Sequence, residues 1–224
     1  MCRFVIRALC MLLALANQCS AADMPFVAGG VRVPLTSIHA ARIESTLLQQ
    51  YDFSCGSAAL ATLLTFHFGY RVSEQGVFEE MFAHGDHDLI RQQGFSLLDM
   101  KRYLAAHGFE ADGFEQSLDK LYDARLPAIV LISDKGYNHF VVIKGLRNGR
   151  VLISDPASGT RAMPRNAFEA LWTSRLLFVI HNRTANVRFD DNADWQAAPS
   201  APLRSAGSEA LIIRSLPRFG PGEF

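Results

Sequence analysis

The chain has 224 residues, 49% hydrophobic and 20% charged, and its 22 basic and 22 acidic side chains give zero formal charge. Such a composition supports one sizeable folded core and excludes a disordered chain. Neutral charge with no basic run excludes a protein that binds nucleic acid through its phosphates.

Residues 1–22 stand apart. Arg3 and Arg7 precede the apolar run Ala8 to Ala16, and Cys19-Ser20-Ala21-Ala22 offers small residues to signal peptidase. The run is too short to span a membrane, so the segment reads as a secretory signal. A lipoprotein signal through Cys19 fits less well after Asn17-Gln18. Cleavage leaves 20 basic and 22 acidic residues, a formal charge of −2. The mature chain is expected in the periplasm or outside the cell, with no transmembrane span.

Residues 23–44 read as a lead-in, a loop or short strand that continues to Leu48. At Cys55 a polar stretch gives way to Gly56-Ser57-Ala58-Ala59-Leu60-Ala61-Thr62-Leu63-Leu64, a small, apolar, proline-free run that predicts a buried helix starting at the cysteine. Gly69 stops it. A second helix is expected over Ser73 to Ala83, a polar loop over His84 to Asp88, and a third helix opened by the capping-box spacing Ser96-Leu97-Leu98-Asp99 and stopped by Gly108. A strand over Phe109 to Phe114 and a short helix over Leu118 to Asp123 follow. The chain then changes character. Pro127 to Ser133, His139 to Leu146 and Arg150 to Asp155 are strands, Asn166 to Trp172 a short helix, and Leu176 to His181 a last strand. Helices first and an antiparallel sheet after make an α+β fold. Residues 45–182 form the folded domain, and 183–224 a poorly packed tail, in which Ala210 to Leu216 is the stretch able to dock.

The cysteine count carries chemistry. Of Cys2, Cys10, Cys19 and Cys55, only Cys55 survives signal cleavage. A lone thiol in an oxidising compartment is a liability unless it is buried or working. At a helix start, the dipole and the unpaired N–H groups favour thiolate, the nucleophilic form. A thiolate nucleophile needs a base and an orienter. Among seven histidines, His139 opens an otherwise apolar strand, at the rim where an imidazole can face a helix start. Asp155 ends the next strand. A two-residue Asn148-Gly149 turn would point Asp155 away from His139. A three-residue Arg147-Asn148-Gly149 turn puts both on one face, so that turn is expected. The Cys55 N–H and the side-chain amide of Gln49 or Gln50 are placed to bind an oxyanion. The His84, Asp86, His87, Asp88 cluster has the spacing of a solvated loop, not of a metal site.

Gln49 six positions before Cys55, the run Cys55-Gly56-Ser57-Ala58-Ala59, the strand His139-Phe140-Val141-Val142 and Asp155-Pro156 together resemble the signature of the double-glycine, or bacteriocin-processing, peptidases. These are family thirty-nine of the cysteine peptidases, papain-like in fold. The resemblance covers residues 45–181. It implies an N-terminal helical half packed on a C-terminal sheet, with Cys55 as nucleophile, His139 as general base, Asp155 as orienter and Gln49 as oxyanion donor. It implies a peptide or protein substrate cleaved after small residues such as Gly-Gly, and no cofactor. Ser54 departs from the acidic residue often found before the cysteine. The chain has no Gly-Lys-Ser/Thr phosphate loop and no transmembrane run, unlike exporter-linked members, so neither ATP nor a membrane domain is expected. It is similar instead to stand-alone exported members associated with functional-amyloid export systems. A peptidase-like binding module or chaperone and a cell-wall peptidase are the alternatives. Gly29-Gly30 matches the family's cleavage preference and equally reads as a flexible lead-in. Mass spectrometry of the exported protein is expected to find a start at Ala22 or Asp23, whereas a start at Val31 would mark processing after Gly30.

Overall fold

Residues 37–199, apart from Lys135, are described by a computed structural model. The expected secretory signal, Gly29-Gly30 and the Ala210 to Leu216 stretch lie outside the described residues. Helix α1 (Ile38–Glu44) is followed by α2 (Cys55–Thr62), which runs on as a π-helical turn, Leu63–His67. Helices α3 (Glu74–Ala83), α4 (His87–Gln93) and α5 (Leu97–Ala106) complete the first half. Then come β1 (Ala111–Glu115), α6 (Leu118–Ala124), β2 (Ala128–Asp134), β3 (Tyr137–Arg147), β4 (Arg150–Asp155), β5 (Gly159–Pro164), α7 (Arg165–Leu171), β6 (Leu176–Ile180) and α8 (Asn192–Trp195). The strands form one antiparallel sheet in the order β1-β6-β2-β3-β4-β5.

Helix α2 is buried on every side, which is why it is built of Gly, Ser, Ala and Leu and carries no charge. It lies in a core with Phe95, Met100, Phe140, Val142 and Phe178, on one face of the sheet. The other face packs Val130, Val141, Ile143 and Ile153 under Phe168 and Trp172 of the α7 region. Alternation along β3 therefore assigns Phe140 and Val142 to the helical side, and Val141 and Ile143 to the opposite side.

Four expectations change. The lead-in to Glu44 is helical, because Ala40, Ala41 and Glu44 favour a helix, although it buries no residue of its own. Its backbone lies against Gly159, where a Cβ would meet Arg42 O at 2.8 Å. The polar loop is cut short at Asp86, whose side chain caps α4 by accepting from the Asp88 and Leu89 N–H groups. Strand β5 is an addition; it is short, half polar and ends in Pro164, as edge strands do. The start of the tail is packed, with Phe189, Trp195 and Ala197 buried.

The β3–β4 turn is also not the expected one. Arg147 pairs with Arg150 across a two-residue Asn148-Gly149 turn, and both turn residues have positive φ, 53° and 68°. That is the turn that suits the twist of a hairpin. The face of Asp155 is rescued further on. The register shifts between Ile143 and Gly145, leaving Lys144 as a bulged residue, so Val142 pairs with Ser154. One more step along this shifted register sets Asp155 on the face of His139.

The π-helical turn delivers His67 inward. His67 Nδ1 lies 2.7 Å from Arg188 O, and Nε2 is buried without a partner. Burial first, and then the Lys144 charge, hold the imidazole down at about 4. The folded state thus takes up its proton later than the unfolded chain does on acidification. Stability is expected to fall as pH drops from roughly 6.5, the ordinary histidine value, toward 4. Urea titrations across that window should show the slope in the wild type and a flatter profile in His67→Gln.

Candidate active site

Cys55 opens α2. Gly56 lets the helix start this close to α5, because a Cβ there would meet Met100 Cε at 2.9 Å and Phe95 Cβ at 3.0 Å. Ser57 donates to Ser54 O and to Glu74 Oε1, both at 2.9 Å, pinning the first turn to α3. Cys55 is 8% exposed. Burial pushes its thiol up, and the backbone N–H groups of Phe140, Gly56 and Cys55 pull it back only in part. The Asp155 charge pushes it further up. The thiol is therefore not depressed by the helix start as expected: desolvation outweighs the backbone N–H groups. Cys55 and Phe140, the β3 residue next to His139, line one cleft.

His139 and Asp155 meet. His139 Nε2 lies 3.3 Å from Asp155 Oδ2, and both side chains are buried. Nε2 donates this bond, which leaves Nδ1 as the basic nitrogen of the neutral ring. Nδ1 is buried and has no partner. The Tyr137 ring stacks on the imidazole at 5.4 Å, and its hydroxyl donates to Asp52 O at 3.1 Å, in the loop before Cys55.

Asp155 is held from several directions. Ala157 N–H donates to Oδ1 at 3.0 Å, and Arg161 donates to Oδ2 from Nε at 3.2 Å and Nη2 at 2.9 Å. Burial pushes the carboxyl up, but the His139, Ala157 and Arg161 hydrogen bonds outweigh it and hold it at about 2. Arg161 sits on β5, pairing with Ile153, and escaped the sequence reading along with that strand. Its signal was the Gly159 turn followed by Thr160-Arg161, which returns a cation to the face of Asp155.

Gln49 is tied in beside them, its backbone N–H donating to Pro156 O at 3.0 Å. Its amide nitrogen donates to Tyr51 O at 3.0 Å and Asp52 O at 3.4 Å, so its donors face the loop. Beside Cys55 opens a cleft of about 650 Å³ lined by Ile90, Phe95, Leu98, Leu131, Asn138 and Phe140, among others. Leu89, Leu98 and Leu131 present exposed apolar surface there, at 48%, 53% and 37%. Such a surface suits an extended or helical peptide with apolar side chains.

A family model described as Peptidase C39 family matches residues 44–184. The chain is 38% identical over 180 residues to the "Probable functional amyloid protease FapD" of Pseudomonas aeruginosa, covering 80% of each chain. It is 39% identical over 176 residues to the protein of that description from Pseudomonas fluorescens, covering 77% of this chain and 78% of the relative. The peptidase domain of Streptococcus ComA, described as a bifunctional ABC transporter in a quorum-sensing pathway, shares the fold. Its TM-score is 0.50 at 23% identity, over 61% of this chain and 96% of that one.

Removing Arg161 should raise the Asp155 carboxyl from about 2, since two of its hydrogen bonds are lost. Carbon NMR titration of the Asp155 carboxyl in Arg161→Ala checks this. The stability that the carboxylate contributes is complete above roughly pH 4 and lost as pH falls through its native value, so acid unfolding should begin at higher pH in the variant.

Proposed function

The chain belongs to the peptidase C39 family, and on that premise we propose that it is an exported peptidase that cleaves a leader or peptide substrate through Cys55, His139 and Asp155. The observation that supports the residue roles is the His139–Asp155 hydrogen bond, with Nδ1 of the ring without a partner and Phe140, the neighbouring strand residue, lining one cleft with Cys55.

The thiol of Cys55 gives its proton to His139 Nδ1 as Sγ attacks the peptide carbonyl. Asp155 keeps Nε2 protonated and stabilises the imidazolium that forms. Because burial raises the free thiol, proton transfer is coupled to attack rather than completed beforehand. The Cys55 N–H and the Gln49 amide stabilise the oxyanion, and Gln49 is released from Tyr51 O and Asp52 O to do so. Collapse breaks the C–N bond, and the imidazolium protonates the leaving amine. Water then attacks the thioester, giving its proton to His139, and C–S cleavage regenerates the thiol.

The apolar cleft beside the sulfur holds the leader, and small residues fit at the scissile bond where α2, α5 and β3 converge. The two Pseudomonas relatives, described as probable functional amyloid proteases, support a substrate or partner in amyloid export. The N-terminal 22 residues support export to the periplasm or beyond.

Cys55→Ala should fold as the wild type does and lose on the order of 10³-fold or more in cleavage of a Gly-Gly leader peptide, as for removal of a covalent nucleophile. Cleavage at the wild-type rate by that variant would remove Cys55 from the reaction. Amyloid export that persists in cells carrying only Cys55→Ala would favour the binding-module reading.

A further inference from the structure

The bulge at Lys144 decides whether Asp155 faces His139, and the structure shows what holds it. Lys144 is fully buried, although it is a lysine in a sheet. Its Nζ donates to Asp194 Oδ1 at 2.8 Å, Ser45 Oγ at 2.6 Å, Ser45 O at 3.1 Å and Thr160 Oγ1 at 3.3 Å. Its carbonyl, shifted out of the β3–β4 ladder, accepts from the Asp190 N–H at 2.7 Å. The next residue is Gly145, where a Cβ would meet Asp190 Oδ1 at 2.6 Å and Asp190 Cα at 2.9 Å. Glycine is needed for the segment to approach this closely.

Asp190 and Asp194 belong to a segment after the last strand that is fastened at more points. Arg147 reaches Asp190 O at 3.0 Å and Asn192 Oδ1 at 2.8 Å, and it lies over the Trp195 ring at 5.2 Å. The family match ends at residue 184, so this strap lies beyond the matched domain.

We propose that the Phe189–Trp195 strap, through Asp194 and Asp190, holds the Lys144 bulge and so acts as a positioning device for Asp155 and His139. A buried ion pair is a poor way to gain stability, because desolvation offsets most of its Coulomb energy. Fixing one register out of two is a use that a specific charge pair serves better than apolar packing does. Without the bulge, β3 and β4 would keep the register of the turn, and Asp155 would face away from His139. Lys144 and Asp194 are positioning residues that touch no substrate. The inference rests on the assignment of Asp155 as orienter.

The test is Asp194→Asn in the full chain, alone and combined with Asp155→Asn. Two readouts are needed: kcat and KM on a Gly-Gly leader peptide, and the hydrogen-bonded Nε2 proton of His139 by NMR, which requires no turnover. In Asp194→Asn, kcat is expected to fall roughly tenfold to a hundredfold, as for a small misplacement of reacting groups, with KM changed little. The Nε2 proton signal should weaken or vanish, and adding Asp194→Asn to Asp155→Asn should cost nothing more. A variant with a lower urea midpoint but unaltered kcat and Nε2 signal would show that the strap only stabilises, overturning the proposal. So would losses that multiply in the double variant. Should Asp194→Asn not fold, Arg147→Ala loosens the same strap from the surface and is expected to act in the same direction. If the wild-type chain cleaves nothing yet its Nε2 signal responds to Asp194→Asn, the peptidase reading falls while the positioning role stands.

Discussion

A strand offers a side chain two faces and nothing between, and the proposed mechanism depends on that choice at Asp155. Only on the face of His139 can the carboxylate hold Nε2 and leave Nδ1 without a partner. A single residue more or less between Ile143 and Ser154 decides the matter. The hairpin turn alone would turn Asp155 away from His139; the bulge at Lys144 turns it toward His139. Residues remote in sequence converge on that bulge, from Ser45 before Cys55 to Asp194 after the last strand. The site is thus held by both ends of the described chain.

Burial governs the other half of the site. Packing α2 into a core of Phe95, Met100 and Phe140 fixes the sulfur in place, and Gly56 makes that packing possible. The same packing removes water from the thiol and raises it, so the helix start does not deliver a resting thiolate. Rigidity of the nucleophile and ease of ionisation therefore oppose each other. In the proposed mechanism His139 acts as the base, held in one tautomer by Asp155, and this resolves the opposition. The His139, Ala157 and Arg161 hydrogen bonds hold the carboxyl at about 2 against the burial that raises it.

The helix at Cys55, the Ser96 capping box and the three central strands were legible because each had a strong local signal: a sharp change in composition, a cap, or an apolar run ending in a turn. Family membership was legible from three short motifs in order. Helix α4 was missed because Asp86 reads equally as loop or cap. Strand β5, and Arg161 with it, was missed because an edge strand lacks an apolar run. The face of Asp155 was anticipated, but from a turn that does not form; a bulge at a lysine has no local signature, since the ion-pair partner of that lysine, Asp194, lies fifty residues away. The packing of Phe189 and Trp195 was hidden in a polar stretch for the same reason.

In the proposed mechanism, His139 activates a thiol that burial alone would keep inert. Alkylation of Cys55 by iodoacetamide, followed against pH in the wild type and in His139→Ala, tests it most directly. The wild type should react readily near neutral pH, and the variant only at markedly higher pH, where the buried thiol ionises unaided. Superimposable profiles for the two proteins would contradict the claim.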